Sequence, residues 1–111
     1  MPRHNSLAQF ELFVLLSLVR QNGSAFGAEL RKEIADRAGR GVSLGAMYAT
    51  LSRLEERRLV SHEISESRPL QGGRSRKRFL ITADGVAEVQ TAVDQLRGML
   101  ADLPGSLVMC R

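Results

Sequence analysis

Apolar residues recur at helical spacing over most of this chain, and the exceptions are short. Ser6 to Gln21 predicts a first helix, with Ser6 as its cap and Asn22-Gly23 as its stop. Its apolar residues do not form one stripe. Leu7, Phe10, Val14 and Leu18 take one side, while Leu12, Phe13, Leu15, Leu16 and Val19 fill most of the rest. A helix apolar nearly all round is buried on more than one side. A domain of 111 residues can hardly enclose it alone, so a second subunit is expected to cover part of it, including Phe13 and Leu16. The competing reading is the central helix of a monomer.

Ser24 to Ala38 predicts a second helix, capped by Ser24 and stopped by Gly39, with Phe26, Leu30 and Ile34 as its buried stripe. Arg40-Gly41-Val42-Ser43 is a short turn into a third helix. There Ser43 is the cap, and Met47, Leu51, Leu54 and Arg58 share one stripe. The opposite side carries Gly45, Ala46, Ala49, Ser52, Arg53 and Glu56, which are small or polar. Two helices joined by a glycine-containing turn match a helix-turn-helix. Such a face suits a DNA major groove, which admits a helix; an ordinary amphipathic surface helix reads the same way.

The period then changes. Leu59 to Glu66 alternates as a strand, Ser67 to Ser75 reads as a loop with one Pro and two Gly, and Arg76 to Thr82 as a second strand. Phe79 and Ile81 share one face of that strand, and Arg78 and Leu80 the other. Strand, basic glycine loop and strand after a helix-turn-helix make the winged variant of the motif, its tip at Gly72, Gly73, Arg74 and Arg76. Thr82 can cap a last helix from Ala83 to Leu103, stopped by Pro104-Gly105. Val86, Val89, Val93, Leu96, Leu100 and Leu103 step by 3 and 4 along it, the pattern of a coiled-coil seam. A stripe packed on its own domain has the same spacing. The expected fold class is therefore mainly α with a small β-hairpin. A winged helix-turn-helix domain over 1–82 and a dimerisation helix over 83–103 form one compact unit, with a flexible tail at 104–111.

Charge sharpens this picture. The chain carries 16 basic and 12 acidic side chains, a formal +4. Arg68, Arg74, Arg76, Lys77 and Arg78 lie within Ser67–Arg78 with no acid among them, a local +5 that leaves 11 − 12 = −1 elsewhere. A patch so concentrated attracts a polyanion, most commonly nucleic acid. No apolar run is long enough to cross a membrane, and the N-terminus does not read as a signal peptide. The single Cys110 has no internal partner, so a cytoplasmic protein is the default. His4, His62 and Cys110 lack metal-ligand spacing, and neither a phosphate loop nor a nucleophile motif is present. No cofactor, metal or catalytic residue is expected.

The stretches FGAELRKEI, GAMYATLSRLEERRLV and GGRSRKRFLITADG, in this order and at these junctions, resemble the PadR family of bacterial transcriptional regulators. Tyr48, Thr50-Leu51, Arg53-Leu54-Glu55 and Leu59-Val60 stand where the family has its tyrosine, its recognition helix and its strand start. Phe79, Thr82 and Gly85 match the residues that close its wing and open its last helix. Ala49 departs from the family's proline after the tyrosine, and Arg58 from its frequent glycine before the strand. The single last helix looks like the smaller branch of the family.

The resemblance implies a homodimeric winged-helix repressor paired through its last helices. Ser43, Tyr48, Thr50 and Arg53 are the expected groove residues, and Arg74, Arg76, Lys77 and Arg78 the expected wing contacts to phosphate on double-stranded DNA. Some small members bind flat compounds through tryptophan; this chain has no Trp, so an effector stays unidentified and no residue is named for it. A winged-helix module that binds protein and never DNA is the rival, and the local +5 argues against it.

Overall fold

The computed structural model describes residues 7–65 and 76–105. Four helices enclose a small antiparallel sheet, in the order α1 (Gln9–Arg20), β1 (Ser24–Phe26), α2 (Gly27–Ala38), α3 (Leu44–Glu56), β2 (Val60–Ser65), β3 (Arg76–Ile81) and α4 (Ala83–Leu100). The strand order is β1-β3-β2.

α1 is the centre of the domain. It packs against α2, α3, α4, β1 and β3, and Val14, Leu15 and Leu18 are fully buried. Most of its apolar girth is thus covered by its own chain. Phe13 and Leu16 are half-buried and Val19 is exposed. The helix opens at Ala8, whose N–H donates to the Glu11 carboxylate at 2.9 Å; Ser6 lies outside the described residues. At the other end Asn22 and Gly23 take left-handed backbone, φ 63° and 100°, and reverse the chain.

The expected second helix is shorter at its start. Ser24–Phe26 forms β1, paired with β3 in the register Ser24↔Leu80, Ala25↔Phe79 and Phe26↔Arg78. Ser24 is therefore a strand residue and caps nothing. Phe26 takes the N-cap position of α2, its N–H donating to Glu29 at 2.8 Å. Gly39 ends α2 in left-handed backbone at φ 66°, as expected. Glu33 ties α2 to α1: it accepts from the Ser17 hydroxyl, from Gln21 at 3.1 Å and from Arg20 at 3.0 Å. The Ser17 bond, with help from Gln21 and Arg20, holds the Glu33 carboxyl below its ordinary range, against an opposing effect of burial.

α3 begins at the expected cap, with Ser43 Oγ accepting from the Ala46 N–H at 3.0 Å. It ends at Glu56, so Arg58 is not a fourth member of its stripe. Arg58 sits in the turn at φ 64°, the left-handed conformation that glycine adopts without strain. A glycine at this position would remove that strain. Thr82 caps α4 by accepting from the Gly85 N–H at 3.0 Å. Its hydroxyl donates to the Arg58 carbonyl at 2.8 Å, and its N–H to the Leu59 carbonyl at 3.0 Å. Gly85 is buried against that same junction: a Cβ there would lie 2.3 Å from the Leu59 carbonyl oxygen. α4 stops at Leu100 rather than Leu103, because Ala101 is extended and Asp102 left-handed at φ 59°. The expected tail beyond Gly105 lies outside the described residues.

Candidate nucleic-acid interface

α3 has two chemically distinct sides. Met47, Leu51 and Leu54 are fully buried. Gly45, Ala46, Ala49, Ser52, Arg53 and Glu56 all face solvent. The outward face has a smooth, small-residue floor, so a rigid polyanionic surface can approach it closely. Ser43 stands at its N-terminal edge, its oxygen engaged in the cap. Thr50 lies beneath the face rather than on it. It is 3% exposed, donates to the Ala46 carbonyl at 3.1 Å and accepts from Arg53 at 3.0 Å. It is thus placed to orient Arg53. Arg53 also faces Glu11 of α1 at 3.9 Å.

Tyr48 occupies one flank, with its ring 6.0 Å from that of Phe79. Its edge lies on Gly27, the first residue of α2, where a Cβ would come within 2.9 Å of the tyrosine ring. Gly27 is thus what lets the ring edge and its hydroxyl lie against the start of α2, with the residue as a whole 38% exposed. Reading the sequence missed this role, since a glycine after a phenylalanine carries no signal of a ring packed from another helix.

The hairpin flanks the same side of α3. Cross-strand partners share a sheet face, so Arg76 and Arg78 point to the face of Ser24 and Phe26, while Lys77 points with Ile64 to the other. The Arg76 guanidinium carbon lies 3.7 Å from the centre of the Phe26 ring, and that of Arg78 4.7 Å from it. Arg78 also donates to Ser24 at 3.2 Å. Phe26, expected only as a core residue of α2, is the ring on which both cations rest. His62 of β2 bonds Glu55 of α3 and ties the hairpin to the helix. Arg74 and the expected wing tip lie outside the described residues.

The seam expected on α4 divides. Val89 is buried in its own domain and Val93 packs against that core. Val86, Leu96 and Leu100 are about half exposed, at 48%, 53% and 53%, and Met99 is exposed beside them. Leu103 is half-buried beyond the helix end. Phe13 and Leu16 of α1 line a separate cleft of about 160 Å³ between α1 and α2.

Among the described residues no group of three His, Cys, Asp or Glu side chains is placed to hold a metal. No described helix is long and apolar enough to cross a membrane.

The model of the transcriptional regulator PadR-like family matches residues 15–91, which run from the middle of α1 into α4. No curated protein sequence matches the chain. Solved structures do. F93 from STIV, a winged-helix DNA-binding protein, superposes with a TM-score of 0.71 over 90% of this chain and 100% of its own, at 18% identity. A PadR family transcriptional regulator from Eggerthella lenta DSM 2243 gives 0.64 over 78% of this chain and 72% of its own, at 24% identity. One from Clostridium difficile R20291 gives 0.64 over 79% and 88%, at 23% identity. These likenesses show the winged-helix fold. From that fold and the family match over most of its length, the chain belongs to the PadR-like family of transcriptional regulators, DNA-binding proteins rather than enzymes.

Proposed function

We propose that the protein is a homodimeric repressor that occupies a near-palindromic promoter operator. The observation that carries this reading is the outward face of α3. Its apolar stripe is wholly buried, and its opposite side is small, exposed and flanked by a cationic hairpin. In this arrangement α3 enters the major groove. Arg53 reaches a base edge or phosphate, and Tyr48 offers its hydroxyl to a phosphate. Arg76, Lys77 and Arg78, with Arg74 beyond the described strand, neutralise phosphates beside the groove. Thr50 serves by positioning Arg53.

The exposed apolar residues of α4 supply the second half of the reading. Val86, Leu96, Met99 and Leu100 lie along one helix, each about half exposed or more among the described residues. Pairing two copies there sets two α3 helices on one side of the dimer, and half-sites about 34 Å apart, or a multiple of that, follow. A repressor then acts by excluding the polymerase from the promoter.

The test is a titration of labelled duplex DNA by fluorescence anisotropy at several salt concentrations. Neutralising Arg76, Lys77 and Arg78 together is expected to weaken binding to all sequences and flatten the salt dependence, because each phosphate contact contributes about 0.9 to the log–log slope. An unchanged slope removes the hairpin from the interface. Selection of bound genomic fragments then gives the operator, and a non-repeating consensus would rule out the two-fold arrangement.

A further inference from the structure

A major groove is bounded by two phosphate ridges, and the hairpin stands on only one flank of α3. The other flank carries Ala46, Ala49 and Arg53. It faces the N-terminus of α1 across a cleft of about 440 Å³. Arg40, in the turn between α2 and α3, lines that cleft, as do Gln9 and Phe10 of α1. The turn is fixed from behind, since Arg31 donates to the Val42 carbonyl at 2.7 Å.

Arg40 is held by two neutral partners. It donates to the Gln9 side-chain oxygen at 3.2 Å, and its guanidinium carbon lies 5.0 Å from the centre of the Phe10 ring. Neither partner cancels its charge. Across the cleft Arg53 is oriented by Thr50, and its acidic neighbour Glu11 is shared with Arg57 at 3.4 Å. The remaining cleft wall is apolar or small: Val42, Ala46 and Ala49. Two guanidinium groups therefore converge on a space with no carboxylate on its lining. Arg40 stands just before the N-terminal end of α3 and Arg53 in its last turn, so the two bracket the flank that faces away from the hairpin.

We propose that this cleft takes a backbone phosphate of the DNA strand lying on the far side of α3 from the hairpin, held by Arg40 together with Arg53. The proposal rests on the reading of α3 as the groove-entering helix and adds a contact to it. The hairpin and the cleft then grip the two ridges of one groove. Gln9 and Phe10 are positioning residues: they spare Arg40 the conformational entropy of finding the phosphate. α1 thereby joins the interface through its first turn.

The full chain is titrated with a labelled mixed-sequence duplex between about 50 and 200 mM salt. Arg40→Ala is expected to weaken binding about tenfold and to lower the salt slope by about 0.9, one phosphate's share. Arg40→Lys should keep most of the slope and lose part of the affinity. Lys32→Ala, an equal loss of charge on exposed α2 surface, should change neither. Circular dichroism melts check that each variant is folded. If Arg40→Ala leaves affinity and slope intact while the neutralised hairpin loses both, the cleft is overturned and the repressor reading stands. An equal loss in Lys32→Ala also overturns it, since the effect then belongs to net charge. If the unaltered chain ignores duplex DNA in dilute buffer, both readings fall, and that outcome is visible before any variant is made.

Discussion

The two halves of α4 have the same spacing of apolar residues and opposite surroundings. The first half is locked to the domain: Gly85 lies on the Leu59 carbonyl, and Val89 is buried among core residues. The second half offers Leu96, Met99 and Leu100 to solvent. One periodic stripe thus fastens the helix to its own domain at Val89, with Val86 half exposed beside it, and then leaves the domain toward its C-terminal end. The difference teaches that a heptad pattern reports which residues need cover but says nothing of which chain supplies it.

The comparison can be broken from its first half. Gly85→Ala sets a methyl against a backbone carbonyl that cannot move without tearing the Thr82 junction. A loss of about 3 kcal/mol or more in urea melts is expected; a change below about 1 kcal/mol would mean that α4 is not fastened there. The second half is probed next. Leu96→Ser with Leu100→Ser should weaken self-association at least about a hundredfold, on the basis of roughly 1.5 kcal/mol per leucine removed from an apolar contact. The fold of each subunit should be little changed. Sedimentation showing an undisturbed dimer would place the contact elsewhere.

A smaller effect sharpens the contrast from the opposite side of the domain, where α1 and α2 are joined through Glu33. Its carboxyl is held low chiefly by the Ser17 hydroxyl. A depressed carboxyl contributes stability that is present above its ordinary value of 4.5 and is lost as pH falls through the lowered one. Acid melts of the unaltered chain should therefore steepen below about pH 4.5. Glu33→Gln should flatten that limb and cost about 1–2 kcal/mol at neutral pH. The smallest effect belongs to the turn that receives α4. Arg58→Gly relieves left-handed backbone and should stabilise the chain by up to about 1 kcal/mol, net of glycine's greater freedom when unfolded. A loss of stability on that change would show that the arginine side chain contributes more than its backbone strain costs.

What could be read from the residues follows the range of the forces. The cap at Ser43, the stripe Met47-Leu51-Leu54 and the Thr82 cap are set within one or two turns of chain, and all three are where the pattern put them. β1 could not be seen. Three residues carry no period, and Phe26 fits a helical stripe as well as a strand; only pairing with β3, more than fifty residues on, decides it. Arg58 looked helical because its spacing continues the stripe, while the turn geometry that excludes it is set by contacts to Thr82. The candidate interface divides in the same way. Arg53 and the hairpin cations were visible as local charge. Thr50 sits on a polar-looking flank, and nothing local in the sequence reveals that its hydroxyl is donated to its own helix carbonyl. Arg40 was passed over as a turn residue, since Gln9 and Phe10 reach it from thirty or more positions away.

Thr82 joins the chain just before the hairpin to the start of α4 through both its hydroxyl and its N–H. In a paired molecule this makes the last helix a lever whose pivot is one threonine. A small tilt between the two levers would be carried to the two α3 rods as a change in stride.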